Sequence, residues 1–257
     1  MVVIVLDFAL KNFDLLSIPI GGCENASPQK LLENFQMTDY TSVGGEAPFK
    51  EIDVPLVPGR TAIVHIDLQN DFLHPKGHYA QNGIDISHMR RVIVPISTLT
   101  SEARQRGVPI IWTRHGTKGV EDGGPFMRLR PFLMSGGLRQ NTWGYEILND
   151  LSPKPNDWYV EKTRLSGYFA TNLDVILRGL KAETVIFTGV LTNQCVAATS
   201  KDASFRDYIP IVVEDCTGTT LPNLHEPAIE MMRVGWSAVA SLEDILAKLR
   251  MLPLSNH

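Results

Sequence analysis

The sequence lacks the features of membrane, nucleic-acid-binding and disulfide-stapled proteins. No apolar run approaches the roughly 18–20 residues that span a bilayer, and the lysines and arginines of this chain, whose net charge is −4, form no basic stripe. We therefore expect neither a membrane nor a nucleic acid as partner. Its three cysteines (Cys23, Cys195 and Cys216) lie far apart and form no C-x-x-C pair, which argues against a disulfide framework and a structural zinc site.

Phosphate-binding motifs are also missing. No G-x-G-x-x-G follows the first predicted strand, and G-x-x-x-x-G-K-[ST] does not occur, so we expect no dinucleotide, nucleoside triphosphate or other cofactor. The apolar residues 1–6 have no basic segment before them and no convincing cleavage site after them. We therefore expect no signal peptide and a cytoplasmic location.

The composition supports a large folded core: 44% of the 257 residues are hydrophobic and 20% are charged. Residues 1–60 have no clean hydrophobic period and contain scattered Gly, Pro and Asn. We predict that they form an N-terminal arm over one main domain, residues 61–257.

From residue 61 onward, short apolar runs alternate with helical patterns. Because parallel neighbours need crossover connections, this alternation predicts a doubly wound, mainly parallel α/β sheet of six strands with helices on both faces. The predicted strands are 61–67, 108–113, 158–161, 184–188, 210–214 and 237–240. The predicted helices lie near 87–106, 144–150, 171–180, 194–206, 223–233 and 242–250. Gly107 and Gly179 are expected at C-terminal helix caps, and residues 241–244 have the pattern of a capping box.

Three reactive side chains stand at the ends of predicted strands. Asp67 closes the first strand, Lys162 follows the third and Cys195 follows the fourth. Ligands of such sheets bind beyond the carboxyl ends of the strands, so we expect these residues to lie together. Each alone has a plainer explanation, as a turn former, a solvated charge or a small buried side chain.

Together the three residues have the chemistry of acyl transfer. Cys195 is predicted in the first turn of a helix, where the helix dipole favours a thiolate, and the Lys162 ammonium would lower the pKa of the thiol further. Asp67 could carry the thiol proton to a leaving amine. Backbone N–H groups of Cys195 and of the 189–193 turn could face a developing oxyanion.

The segments around these residues resemble the isochorismatase-like cysteine hydrolase family. The matching motifs are D-x-Q-N-D-F at 67–72, E-K-x-x-x-S-G-[YF]-F-x-T-x-L at 161–173 and T-G-x-x-T-N-x-C at 188–195, supported by E-D at 214–215. The similarity covers about residues 61–250, which leaves the first 60 residues outside it.

The resemblance implies specific roles for these residues. It implies an Asp–Lys–Cys triad at Asp67, Lys162 and Cys195 and a non-proline cis peptide bond between Val190 and Leu191. The N–H groups of Leu191 and Cys195 would form the oxyanion hole. Members of the family are commonly homo-oligomers, so the resemblance also implies a dimer or a tetramer.

Other features of the sequence favour one branch of that family. Isochorismatases that cleave a vinyl ether typically lack the cysteine, so Cys195 favours amide hydrolysis. Nicotinamidases carry an Asp-x-His metal site where this chain has Thr113-Arg114-His115, so we expect no metal. Residues 142–178 are similar to ureidoacrylate amidohydrolases, and more distantly to biuret and N-carbamoyl amidohydrolases. The predicted substrate is therefore a small ureido or carboxamide compound.

Six side chains are candidates for contact with the substrate. His115 could touch the substrate or only pack, and Arg164 could clamp a carboxylate or form a structural salt bridge. His65 is predicted to be a hydrogen-bonded core histidine rather than a metal ligand. The six candidates are Gln69, Phe72, His115, Arg164, Tyr168 and Asn193.

Two alternatives remain open at this point. One is isochorismatase or nicotinamidase activity on the same scaffold. The other is a non-catalytic binding protein that retains the fold, against which the intact set of Asp67, Lys162 and Cys195 argues.

Overall fold

Six apolar segments form a single parallel sheet in the computed structural model, which describes residues 53–255. The strands are β1 (Thr61–Ile66), β2 (Ile110–His115), β3 (Trp158–Lys162), β4 (Thr184–Val190), β5 (Ile209–Gly218) and β6 (Ala238–Ala240). Their order is β3-β2-β1-β4-β5-β6, and every neighbouring pair is parallel. This confirms the predicted α/β fold and all six predicted strands.

The strand order reverses between β1 and β4. Strands β2 and β3 lie on one side of β1, and strands β4, β5 and β6 lie on the other side. The carboxyl ends of β1 and β4 therefore form the switch point, which is where ligands bind in sheets of this kind. Gly189 of β4 pairs with Ile66 of β1. It has φ +108°, and a Cβ atom there would lie 2.1 Å from the Ile66 carbonyl oxygen, so this close approach requires glycine.

The helices cover both faces of the sheet. On one face Ile63 and Ile186 belong to a buried cluster, and on the other Val64 and Phe187 belong to a second cluster, as expected for parallel strands buried on both sides. Within the described residues, the α-helices are α1 (Asn70–Leu73), α2 (His78–Gln81), α3 (Ser87–Arg90), α4 (Ile93–Gln105), α5 (Gly124–Arg128), α6 (Leu173–Gly179), α7 (Ala197–Ser204), α8 (His225–Gly235) and α9 (Leu242–Arg250).

The helix predicted over 87–106 is interrupted after Arg90, giving α3 and α4. Pro95 lies in the first turn of α4. It has no N–H to donate to the carbonyl four residues earlier, and its ring clashes with that carbonyl. A continuous helix through Arg91 and Val92 is therefore disfavoured.

The helix predicted at 144–150 is wrong. Two short 3₁₀ turns, Trp143–Tyr145 and Asn149–Leu151, stand in its place. The segment between them is extended and pairs with the chain that follows β1: the Asn70 N–H donates to the Glu146 carbonyl at 2.9 Å, and the Leu148 N–H donates to the Leu68 carbonyl at 2.9 Å. These tertiary hydrogen bonds replace those of a helix.

The predicted helix caps are confirmed in two of three cases. Gly107 has φ +66° just beyond α4, and Ser241 and Asp244 form the reciprocal hydrogen bonds of a capping box at the start of α9. Gly179 is instead the last residue of α6, one residue before the C-cap. The left-handed residue after this helix is Lys181, with φ 55°.

The proposed N-terminal arm falls mostly on residues outside the described range. Of its last residues, Val54 is buried in the core, and its carbonyl accepts a hydrogen bond from Lys248 Nζ at 2.9 Å. Across residues 53–255, no helix is long and apolar enough to cross a membrane.

Candidate active site

Four neighbouring strands each place one reactive side chain at the same edge of the sheet. His115 is the last residue of β2 and pairs in register with Lys162, the last residue of β3. Asp67 directly follows β1, and Cys195 lies in the turn after β4. Because β3, β2, β1 and β4 are adjacent in that order, the sheet itself brings these four residues together.

A buried ion pair joins two of them. Lys162 Nζ lies 2.7 Å from Asp67 Oδ2, and both side chains are fully buried. Burial lowers the pKa of Lys162, but the negative charge of Asp67 and its hydrogen bond to the ammonium raise it, and the net shift is upward. The ammonium also donates to the backbone carbonyls of Arg164 at 3.0 Å and Leu165 at 3.1 Å. Lys162 is thus held as a cation.

Thr113 fixes the other oxygen of this carboxylate. Its hydroxyl donates to Asp67 Oδ1 at 2.6 Å and accepts a hydrogen bond from the Asp67 N–H at 3.1 Å. Asp67 has φ 53°, a left-handed conformation that is uncommon for residues other than glycine. The Thr113 hydroxyl therefore helps to hold the aspartate in an unfavourable backbone conformation.

Cys195 lies in a π-helical turn, Thr192–Val196, that leads into α7. The Leu191 carbonyl accepts hydrogen bonds from the N–H groups of Gln194 at 3.0 Å and Val196 at 3.2 Å, which flank Cys195. The peptide bond between Val190 and Leu191 is cis, at the position predicted from the sequence. The cysteine is only 3% exposed.

The expected thiolate is not what the structure indicates for the resting protein. Burial raises the pKa of the Cys195 thiol to about 12; the Lys162 charge opposes the shift and the Asp67 charge adds to it. The helix dipole and Lys162 therefore do not outweigh burial beside a carboxylate. The thiol is therefore protonated in the resting protein, and its sulfur lies within 4.8 Å of a carboxylate oxygen of Asp67.

His115 is the fourth member of the cluster. Its Nδ1 lies 4.0 Å from Cys195 Sγ and 3.9 Å from Asp67 Oδ2. Burial, reinforced by the charge of Lys162, lowers the pKa of His115 well below its usual value. A neutral imidazole therefore lies against the thiol.

Comparison of the sequence with models of known protein families identifies the family to which the chain belongs. The model of the isochorismatase domain matches residues 61–244. This chain belongs to the isochorismatase family.

Several solved structures have the same fold. A cysteine hydrolase from Pseudomonas syringae pv. phaseolicola 1448A superposes with a TM-score of 0.73 at 24% identity, covering 79% of this chain and 99% of that one. N-carbamoylsarcosine amidase from Thermoplasma acidophilum superposes with a TM-score of 0.60 at 24% identity, covering 72% of this chain and 97% of that one. Pyrazinamidase/nicotinamidase from Streptococcus mutans UA159 superposes with a TM-score of 0.61 at 23% identity, covering 70% of this chain and 99% of that one. At these identities the likeness concerns the fold alone.

Gln69, a predicted substrate contact, braces His115 instead. Its side-chain amide donates to the carbonyls of His115 and Tyr145, both at 3.0 Å, and its Oε1 accepts the His115 N–H at 2.7 Å. The Gln69 side chain is fully buried. In this isochorismatase-family site, Gln69 therefore fixes the end of β2 and with it the position of the imidazole.

Three other predicted contacts are engaged elsewhere. Arg164 Nη1 donates to the carbonyls of Asp122 at 3.0 Å and Thr163 at 2.8 Å, and so ties two loops together. Asn193 Oδ1 accepts a hydrogen bond from the Thr219 hydroxyl at 2.7 Å. The Tyr168 ring stacks on Tyr208 with centroids 6.1 Å apart and lies under the Arg206 guanidinium.

Phe72, the remaining candidate, packs beside a residue that the sequence did not single out. Its ring lies 4.6 Å from that of Tyr79, centroid to centroid. Burial raises the pKa of Tyr79, whose side chain is only 3% exposed. Thr113, which binds the Asp67 carboxylate, was not predicted from the sequence. Neither was Arg130, whose guanidinium donates to Gln194 Oε1 at 2.8 Å, nor Tyr79. Of these, only Thr113 could have been suggested by the sequence, because it lies two residues before His115 on a predicted strand that ends at the site.

The same cluster contains three metal-ligating groups. Within residues 53–255, Asp67, His115 and Cys195 offer ligand atoms that all lie within 4.8 Å of one another. The ammonium of Lys162, 2.7 Å from the Asp67 oxygen, opposes a cation at this position. The donor set therefore fits a nucleophile with its proton acceptor better than a metal centre.

The prediction for His65 is confirmed. Its Nδ1 lies 2.7 Å from the Thr188 hydroxyl and its Nε2 lies 3.0 Å from the Thr100 hydroxyl. The side chain is fully buried, and burial lowers its pKa to about 3. It is a neutral core residue.

Proposed function

We propose that the chain is a hydrolase that cleaves a C–N bond of a small ureido or carboxamide compound, with Cys195 as the nucleophile. The observation that carries the proposal is a buried thiol whose sulfur lies within 4.8 Å of a carboxylate oxygen of the buried Asp67–Lys162 ion pair, at the switch point of the sheet. Buried charges with a strong mutual perturbation are typical of catalytic sites.

The first step follows from the neutral thiol. As the sulfur of Cys195 attacks the carbonyl carbon, its proton passes to Asp67, the nearest anionic acceptor. The C=O electron pair moves onto oxygen, and the N–H groups of Leu191 and Cys195 are the donors that we assign to this oxyanion. Lys162 stays protonated and offsets the negative charge that moves through the site.

The second step releases the nitrogen. Asp67 returns the proton to the departing nitrogen, the C–N bond breaks, and ammonia or an amine leaves a thioester on Cys195. A water molecule then attacks the thioester and gives its proton to Asp67. When the tetrahedral intermediate collapses, the sulfur leaves, takes up that proton, and the acid product departs.

The neutral state of His115 fits this scheme. An imidazolium 3.9 Å from Asp67 would compete with Lys162 for the carboxylate, whereas a neutral ring offers hydrogen bonding without a second cation. Because His115 is neutral and Asp67 is the anion, Asp67 is assigned as the proton carrier.

The ureido class of substrate is supported by the similarity of residues 142–178 to ureidoacrylate amidohydrolases.

The test is ammonia release across ureidoacrylate, biuret, triuret, N-carbamoyl amino acids, maleamate and nicotinamide. We expect turnover of at least one of them, an acyl adduct on Cys195 in the mass spectrum, and negligible pyruvate from isochorismate. Cys195→Ala should lose at least ~10³-fold in rate, since groups that act as a unit fail together. Cys216→Ala is the matched control, because Cys216 is a second buried thiol, on β5.

Two results would contradict the proposal. One is a Cys195→Ala protein that retains more than about a tenth of the wild-type rate. The other is cleavage of isochorismate at ordinary enzymatic rates with no acyl adduct, which would point to vinyl ether hydrolysis on the same scaffold.

A further inference from the structure

An arginine that the sequence did not single out lies beside the nucleophile. Arg130 Nη2 donates to Gln194 Oε1 at 2.8 Å, and Gln194 immediately precedes Cys195. Arg130 Nη1 donates to the Phe126 carbonyl at 3.2 Å, and its guanidinium lies 4.1 Å from the centre of the Phe126 ring. A half-buried cation therefore stands next to the nucleophile turn.

This cation has no anionic partner among residues 53–255. Arg104, Arg114 and Arg178 each form an ion pair with an aspartate or a glutamate. Arg130 contacts an amide oxygen, a backbone carbonyl and an aromatic ring. A guanidinium has five N–H donors, so donors remain for a further acceptor.

Contacts connect Arg130 to the thiol. The Phe126 ring, on which the guanidinium lies, is 4.7 Å from the His115 ring, centroid to centroid. His115 Nδ1 is in turn 4.0 Å from Cys195 Sγ. The positive charges of Lys162, Arg130 and Arg164 all act to lower the pKa of His115, so this end of the site favours an anion.

Arg130 is better suited than Arg164 to bind that anion. Arg164 donates to two backbone carbonyls, and removing it from them would release a loop. Arg130 Nη2 instead donates to the side-chain amide of Gln194, which is half-buried, so displacing that amide would break no hydrogen bond to the backbone. A carboxylate could then take its place with two parallel hydrogen bonds.

We propose that Arg130 binds a carboxylate of the substrate, so that the amide or ureido compound attacked by Cys195 is an anion. The inference rests on the proposed function and narrows its substrate class to compounds with a carboxylate on the part of the molecule away from the scissile bond. A hydrogen-bonded charge pair of this kind corresponds to about 10- to 100-fold in binding.

The first test measures the preference of the site for an anion without knowledge of the substrate. Iodoacetate and iodoacetamide alkylate the same thiol through the same S–C bond with loss of iodide, and they differ in that only iodoacetate carries a carboxylate. The ratio of their rates at Cys195, followed by peptide mass spectrometry at pH 9, does not depend on the thiolate fraction. We expect Arg130→Gln to lower the iodoacetate-to-iodoacetamide ratio at least tenfold, and Arg130→Lys to lower it less.

Arg128→Gln is the matched control. Arg128 ends α5, is exposed and lies two residues from Arg130. The Arg128→Gln variant should keep the iodoacetate-to-iodoacetamide ratio within about twofold of the wild-type value. The same drop in both variants would indicate a general change of surface charge and would overturn the inference.

The second test uses turnover. An N-carbamoyl amino acid and its neutral N-methylamide are compared in the wild-type and Arg130→Gln proteins. The variant should raise KM for the acid about 10- to 100-fold, with little change in kcat and little effect on the neutral compound.

The outcomes separate the two proposals. Equal alkylation ratios in wild type and Arg130→Gln, or equal losses on both compounds, would refute the role of Arg130 and leave the cysteine mechanism intact. If Cys195 reacts with neither reagent and no amide of the panel is hydrolysed, the proposed function itself fails, and the inference fails with it.

Discussion

Removing the ammonium of Lys162 should destabilise the protein through the charge that it leaves behind. Lys162→Met keeps a side chain of similar length but leaves Asp67 Oδ2 buried with no counter-charge. At 2.7 Å and an effective dielectric constant of about 20, the attraction is about 6 kcal/mol before desolvation is subtracted. Removing one partner of such a pair costs about 3–5 kcal/mol, which is the loss expected for Lys162→Met.

Removing the charge of the other partner, Asp67, should lower the free energy of unfolding by less. In Asp67→Asn the ammonium keeps its hydrogen bonds to the carbonyls of Arg164 and Leu165, so we expect a loss of about 2 kcal/mol. The double variant Asp67→Asn/Lys162→Met has no buried charge left at this position. Its loss should therefore be smaller than the sum of the single losses by at least ~2 kcal/mol.

The assay is urea unfolding at pH 7, followed by circular dichroism, for the wild type, both single variants and the double variant. A common slope of the unfolding free energy against urea would show that the same transition is compared. If the losses add within ~0.5 kcal/mol, the two groups are not energetically coupled and the argument is refuted.

Three further predictions concern other parts of the molecule. His65 is buried and neutral with a pKa of about 3, whereas an unfolded histidine titrates near 6.5. The protein should therefore lose stability as the pH falls below about 6.5, and the loss due to His65 should reach about 2 kcal/mol at pH 5. In urea titrations, His65→Gln should lose less stability on acidification than the wild type. Lys181→Gly should raise the free energy of unfolding by about 0.5–1 kcal/mol, because φ is 55° at this exposed position, and an unchanged or lower value would contradict this. Dialysis against EDTA should leave the turnover rate unchanged, because Lys162 opposes a cation beside Asp67; loss of activity that zinc restores would show the opposite.

The fold could be predicted from the sequence because the central strands β1, β2 and β4 are short apolar runs buried on both faces. That pattern is local, as in β1, where all six residues of Thr61–Ile66 are buried. The positions of Asp67, Lys162 and Cys195 followed, since the carboxyl ends of parallel strands share one edge of the sheet.

What could not be predicted depends on contacts between distant segments. Residues 144–150 have a helical composition, but their backbone pairs with the chain that follows β1. Arg130 stands in a segment between β2 and β3 without a hydrophobic period, so nothing local indicated that it reaches Gln194. The pKa of Cys195 was predicted in the wrong direction because the helix position is visible in the sequence, whereas the depth of burial is not.

The neutral state of Cys195 also has a consequence for oxidative damage. Peroxide attacks thiolates, and the burial that raises the pKa of the Cys195 thiol lowers its ionised fraction at pH 7 below that of a free cysteine. A nucleophile that loses its proton only as it attacks a bound carbonyl presents almost no thiolate to hydrogen peroxide between turnovers. We therefore expect the resting protein to survive oxidant exposure that converts low-pKa cysteines to sulfenic acid, and to keep its activity without a reducing partner.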